Sequence, residues 1–291
     1  FAREGMTTVV HGRDTFAVEA IDYVASFRPP PGLLATLPNL KAMLSLGAGI
    51  DGFLADPALP KHLPLVRFVD RTLSEEMAQY VVMHVLIHHR MQRMFDAAQA
   101  KGEWRQILLP RRTAQTRIGI LGIGEIGTVV ARHLQPFGFP VSGWSRTPKA
   151  VDGVRGYSGA AERDAFLAAS DVLVCLLPLT DETRGILNAD LFAKLPRSAF
   201  LINVARGGHL VDDDLIAAID SGHLSGATLD VFHTEPLPAA SPLWRHPKIT
   251  VTPHVAAISD PDAGARTMLD AIRRCEAGEP PLNVVDLARG Y

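Results

Sequence analysis

The run Ile118-Gly119-Ile120-Leu121-Gly122-Ile123-Gly124-Glu125-Ile126-Gly127 decides how this chain folds. Its first four residues extend an apolar stretch, 117–121, that reads as a buried strand. G-x-G-x-x-G then falls on Gly122, Gly124 and Gly127. Behind it, residues 125–137 place Ile126, Val129, Val130, Leu134 and Phe137 at helical spacing. The glycine pattern alone is a weak signal, since glycines also serve plain turn geometry. Between a strand and a helix it is the fingerprint of a dinucleotide cradle. Gly122 permits the tight turn, Gly124 lets backbone approach a pyrophosphate, and Gly127 lets helix and strand pack closely. The helix N-terminus then faces the phosphates.

Outward from this run, strand and helix patterns alternate. Strands are expected at 140–144, 171–176, 198–204, 226–231 and 249–252, and helices at 162–169, 189–195 and 212–220. Alternation of this kind predicts an α/β fold with a Rossmann-type, doubly wound parallel sheet. The strand runs are continuously apolar, as expected where both sheet faces are covered. The N-terminal part reads as a separate α/β unit with strands at 7–10, 23–26, 42–46 and 65–68, punctuated by Pro29, Pro30, Pro31 and Pro38. One long helix is expected over 75–101, capped by Ser74 and free of internal proline and glycine. A last helix, 261–277, can return to the N-terminal unit. The expected domains are 77–258 for the dinucleotide and a discontinuous substrate domain from 1–76 plus 259–291.

Composition bounds the function. The 291 residues are 47% hydrophobic and 21% charged with net charge −2, so no nucleic-acid partner is expected. No apolar run has the length of a membrane span. Of two cysteines, Cys175 lies in an apolar run and Cys275 beside charged residues, which suits reduced thiols and a cytoplasmic location. His84, His88 and His89 invite a metal reading, but no HExxH or third ligand follows, so no metal is expected. Asp212-Asp213-Asp214 opens an expected helix, where carboxylates meet the helix dipole favourably. No serine has a G-x-S-x-G context.

Two further regions carry chemistry. About 20 residues past the glycines, NAD-binding proteins place an acidic residue on the ribose. Here the chain reads Trp144-Ser145-Arg146-Thr147-Pro148-Lys149, with no carboxylate. A hydroxyl, a guanidinium and an ammonium suit a 2′-phosphate, so NADPH/NADP is expected over NADH. A solvated basic loop is the plainer alternative. The second region is a trio at expected strand ends: Arg206, Glu235 and His254. A guanidinium fork binds a carboxylate and polarises a keto oxygen. A free imidazole titrates near ~6.5 and can pass a proton near neutrality. A carboxylate beside it stabilises the imidazolium form. Together these are what reduction of a 2-keto acid requires.

These motifs carry a resemblance. LGAGID (46–51), ILGIGEIG (120–127), LLPLTDETRGIL (176–187), LINVARGG (201–208), LDVFHTEPLP (229–238) and TPHVAA (252–257) resemble, in this order, the D-isomer-specific 2-hydroxyacid dehydrogenases. GWSRT (143–147), SPLW (241–244) and the ending ARGY are similar to the glyoxylate/hydroxypyruvate reductase branch. The resemblance implies hydride transfer to C2 of a small 2-keto acid, with Arg206 binding substrate, His254 as acid/base and Glu235 as its partner. It implies cofactor contacts from Gly122, Gly124, Glu125, Ile126, Gly127, Ser145, Arg146, Thr147, Leu177, Pro178, Val204, Ala205, Arg206, Asp230, His254 and Ala256. Substrate contacts are implied for Gly47, Ala48 and Gly49, besides Arg206 and His254. It further implies a flavodoxin-like substrate domain and a homodimer. Relatives usually begin with a strand and helix ahead of 7–10, so this sequence is expected to lack that βα unit. A non-catalytic dinucleotide sensor or scaffold on the same fold is the alternative.

Overall fold

The structure, a computed structural model, describes residues 5–69, 71–258 and 260–287. The chain divides into two compact units. One holds the chain up to Leu73 together with the part beyond Ile258, and the other is Ser74–Ile258.

In the first unit, strands β1 (Tyr23–Ser26), β2 (Ala42–Ser45) and β3 (Leu65–Val66) form a parallel sheet in the order β1-β2-β3. A short helix, α1 (Asp51–Leu54), follows β2. Leu34, Met43, Phe53 and Leu65 are buried in one cluster. Leu44 and Val66 point into another, which the last helix of the chain closes with Met268, Ala271 and Ile272. The C-terminal segment also extends this sheet: Val285 N–H donates to Leu65 O (2.8 Å) and Arg67 N–H to Asn283 O (3.1 Å).

Residues 7–10 do not form the expected strand. They are mostly exposed and lead into a local turn, in which Asp14 accepts from the Val10 amide (2.8 Å) and Arg13 N–H donates to Val10 O (3.0 Å). An Asp side chain offers the backbone a nearby partner that competes with a sheet ladder.

The second unit carries helices α2 (Arg71–His89, whose first residues lie in the first unit) and α3 (Gln92–Gln99). Then come β4 (Ile118–Leu121), α4 (Glu125–Leu134), β5 (Val141–Ser145), β6 (Val154–Ser158), α5 (Gly159–Ala168) and β7 (Val172–Cys175). They are followed by α6 (Ala189–Lys194), β8 (Ala199–Asn203), α7 (Asp212–Asp220), β9 (Leu224–Leu229) and β10 (Ile249–Val251). The helix α8 (Pro261–Glu276) belongs to the first unit. All seven strands are parallel, in the order β10-β9-β8-β7-β4-β5-β6.

Alternation along the central strands divides the core by sheet face. Ile118, Ile120, Val172, Val174, Phe200 and Ile202 pack with Val81 and Val85 of α2 and with Val130 and Leu134 of α4. Leu121, Leu173, Cys175 and Leu201 pack with Phe166 of α5, Phe192 of α6 and Leu215 and Ile219 of α7. Each fully buried side chain of this size contributes roughly 1.5–3 kcal/mol. Cys175 is a wholly buried thiol, pushed up to about 12 by burial. Asp171 anchors the start of β7. Burial alone would raise its carboxyl, but a bidentate bond from Arg117, the Arg117 amide and Arg111 hold it down at about 2.

The long helix expected over 75–101 differs in two ways. It begins at Arg71, so Ser74 is its second-turn residue and not its cap. It also breaks at Met91, which sits in the left-handed region (φ 57°) ahead of α3. Such a residue costs roughly 1–2 kcal/mol. Tertiary contacts on both sides hold the break. His88 stacks on Phe200 at 4.0 Å between ring centroids, and His89 meets the edge of Phe139 at 5.3 Å. Beyond the break, Arg93 donates to Pro247 O (3.0 Å) and bonds Thr250 of β10.

Candidate active site

The strand order reverses between β4 and β7. From β4 the chain winds out through β5 and β6; from β7 it winds the other way through β8, β9 and β10. Ligands of open α/β sheets bind beyond the carboxyl ends of the strands at this switch point. Most of the sequence-predicted residues of this unit follow such an end. Gly122, Gly124, Glu125, Ile126 and Gly127 follow β4. Ser145 closes β5, and Arg146 and Thr147 follow it. Leu177 and Pro178 follow β7; Val204, Ala205 and Arg206 follow β8; Asp230 and Glu235 follow β9; His254 and Ala256 follow β10.

The glycine loop is tight on the protein side and open on the other. A Cβ at Gly127 would lie 2.3 Å from Gly122 O, so only glycine lets α4 pack this closely on the turn. Gly122 takes φ 109° and donates to Trp144 O (2.9 Å). At Gly124 a Cβ would meet nothing within 4 Å. The first amides of α4 open beside that space, as a helix start leaves its early N–H groups unpaired within the helix. At the end of β5, the Ser145 hydroxyl donates to Thr147 O (2.7 Å), which turns the chain sharply. Arg146 and Lys149 are exposed there, and Arg146 lies 3.6 Å from Glu182.

Arg206 sits on a loop shaped by a buried asparagine. Asn203, fully buried at the end of β8, accepts from the Ala205 amide (3.2 Å) and donates to Arg206 O (3.2 Å). Gly207 passes so close to Phe232 that a Cβ would lie 1.9 Å from the Phe232 carbonyl carbon. The Arg206 side chain is half-buried and donates to Ala205 O (2.7 Å). His209, fully buried, lies between Arg206 O (3.0 Å) and Pro178 O (3.2 Å), tying the loops after β7 and β8 together.

Glu235 and His254 meet directly. Glu235 Oε2 is 2.7 Å from His254 Nδ1, while Oε1 accepts from the Phe232 amide (2.9 Å). One carboxylate oxygen therefore anchors its own loop and the other holds the ring. With Nδ1 donating to a carboxylate, Nε2 is the nitrogen left to exchange a proton. His254 takes φ 55°, an uncommon conformation for a residue other than glycine, and both side chains of the pair are exposed. Its amide donates to Asp230 O (2.8 Å). Asp230, 1% exposed, accepts from the amides of Val255 and Ala256 (2.9 Å each) and from the Thr252 hydroxyl (2.6 Å).

Gly47, Ala48 and Gly49 follow β2 in the first unit. The Ser45 hydroxyl lies at hydrogen-bond distance from the carbonyls of Gly47 (2.9 Å) and Gly49 (3.0 Å) and pins them inward. Phe27, largely exposed, rests its ring edge against Gly47.

The histidines of α2 go to separate surroundings. Among the described residues no three metal-ligating side chains converge. No helix of the described residues is long and apolar enough to cross a membrane. Sequence reading missed Tyr80, Thr252 and His209. Tyr80 reads as one more apolar position of a helix, and His209 as a loop residue after a double glycine.

A fold with a switch point, a glycine cradle and a His–Glu pair defines a dinucleotide-dependent oxidoreductase. Residues 82–256 match the family model of the D-isomer specific 2-hydroxyacid dehydrogenase NAD binding domain. The chain belongs to the D-isomer specific 2-hydroxyacid dehydrogenase family. It is 46% identical over 275 residues to glyoxylate/hydroxypyruvate reductase A of Serratia proteamaculans, covering 93% of this chain and 88% of that relative. A D-isomer specific 2-hydroxyacid dehydrogenase from Xanthobacter autotrophicus Py2, solved in complex with NADPH and MES, is 46% identical with a TM-score of 0.90, covering 95% of this chain and 87% of that one. An NADPH-dependent glyoxylate/hydroxypyruvate reductase from Sinorhizobium meliloti, solved with NADP and sulfate, is 45% identical with a TM-score of 0.90, covering 97% and 89%.

Proposed function

We propose that this chain reduces a small 2-keto acid of the glyoxylate/hydroxypyruvate class to its 2-hydroxy acid, with NADPH as the preferred cofactor. The observation that carries the reading is the Glu235–His254 pair, 2.7 Å apart beyond adjacent strands of a sheet with a dinucleotide cradle. The residues present fit the cofactor: open space at Gly124 admits a pyrophosphate, and Ser145, Arg146 and Thr147 suit a 2′-phosphate. When bound, the dinucleotide supplies a hydride to C2 of the keto acid. Arg206 holds the substrate and polarises its keto oxygen, which draws electron density from C2. His254 Nε2 gives its proton to the alkoxide formed at that oxygen, and Glu235 balances the charged ring. The backbone of Gly47, Ala48 and Gly49 receives the substrate carboxylate. Leu177, Pro178, Val204, Ala205, Asp230 and Ala256 line the cofactor side. The natural assembly is a homodimer in the cytoplasm.

The test is NADPH oxidation across a panel of keto acids, repeated with NADH. Turnover with glyoxylate or hydroxypyruvate is expected. kcat/KM should favour NADPH by roughly tenfold or more, the worth of one charge-assisted contact. No turnover across the panel rejects the reading, and a preference for NADH rejects its cofactor half.

A further inference from the structure

The loop that carries His254 is held by a chain of hydroxyl groups that begins on a different element. Tyr80 of α2 places its phenol oxygen 2.5 Å from Thr252 Oγ1, and Thr252 Oγ1 lies 2.6 Å from Asp230 Oδ1. The direction of these bonds follows from proton counting. An ionised carboxylate only accepts, and a threonine hydroxyl has one proton. That proton goes to Asp230, so the phenol must donate to Thr252. Burial pushes the Tyr80 phenol well above its ordinary range, which keeps the proton there to be donated. The ring is packed against His84 at 4.3 Å between centroids. His84 is itself buried, with Nδ1 3.4 Å from Thr228 Oγ1 and Nε2 without a partner among the described residues.

The chain ends where it matters. Asp230 Oδ1 takes the Val255 amide and Oδ2 the Ala256 amide, the two residues that follow His254. His254 needs such a hold because its left-handed backbone (φ 55°) is costly unless its surroundings fix it. We infer that Tyr80 and Thr252 are positioning residues for His254: the phenol orients the threonine hydroxyl onto Asp230, and Asp230 grips the loop on which the imidazole stands. This rests on the acid/base reading of His254 for its catalytic consequence, and on hydrogen bonding alone for its structural one.

The experiment compares the parent with Tyr80→Phe, Thr252→Val and Thr252→Ser. Amide hydrogen exchange is followed at Val255 and Ala256, with α7 amides as an internal control, beside kcat and the KM for NADPH. Losing one hydroxyl should speed exchange at the two loop amides roughly 3- to 10-fold in Tyr80→Phe and Thr252→Val, the worth of one hydrogen bond. Exchange in α7 should not change, and Thr252→Ser, which keeps the hydroxyl, should stay near the parent. kcat should fall by a similar factor with the KM for NADPH unchanged. Parent-like exchange in Tyr80→Phe overturns the relay whatever the activity. Faster exchange with full kcat overturns its positioning role. A parent without turnover on the keto-acid panel overturns the reading of the site, and the exchange result then decides the relay by itself.

Discussion

Glu235 does two jobs with two oxygens, and this makes its replacement informative. Oε1 fixes the Phe232 amide and Oε2 meets the imidazole. Glutamine can keep a carbonyl on the amide, so Glu235→Gln separates the charge from the shape. The ring that donates the proton then lacks its counter-charge while the Phe232 amide keeps its acceptor. At neutral pH, kcat/KM should drop roughly 10- to 100-fold, as for a lost charged hydrogen bond. Steady-state reduction measured beside the KM for NADPH is the check, and parent-like kcat/KM rejects the pairing. The placement of Arg206, Glu235 and His254 past strand ends was legible in the sequence because each follows a buried apolar run whose far end must reach the surface. Tyr80 was not. Its partner Thr252 is 172 positions away, and a lone aromatic inside an apolar helix carries no sign of what its hydroxyl touches.

At the scale of elements, α2 sets an acid limit on stability. Burial pushes His88 down to about 4; it also lowers His84, and it lowers His89 with a further contribution from Arg90. An unfolded chain takes up these protons from about pH 6.5 downward, while the folded helix does not. The histidine contribution is therefore complete above about 6.5 and is lost as pH falls toward 4. His88→Phe keeps a ring against Phe200 without the titration. Its melting temperature should decline less between pH 7 and 5 than that of the parent, and an equal decline in scanning calorimetry counts against this role. Elements with local signals were readable. α7 runs Asp212–Asp220 as expected, because three carboxylates open it and Leu215 and Ile219 repeat at helical spacing. β6 was missed because an edge strand reading Val-Arg-Gly-Tyr-Ser has no apolar run. The break at Met91 was missed because its cause is the packing of His88, His89 and Arg93 on distant strands, with no glycine or proline to mark it.

At the scale of the whole molecule, the first unit is made from both ends of the sequence. Its sheet takes β1, β2 and β3 from the first 66 residues, but Leu44 and Val66 are covered by Met268, Ala271 and Ile272 of α8, and Leu65 is bonded by the Val285 amide. A chain stopped after Ile258 should keep the second unit protected in limited proteolysis while residues 5–69 are cleaved rapidly. Equal protection of both would show that α8 is dispensable. The same dependence has a meaning in time. At roughly 5–20 residues per second, synthesis of the intervening segment takes about 10–40 s. For that interval the ribosome carries a three-stranded sheet with one greasy face bare, while the seven-stranded sheet assembles behind it. Of the two units, the one begun earlier is the one finished later, and newborn copies depend on whatever shields Leu44 and Val66 until α8 emerges.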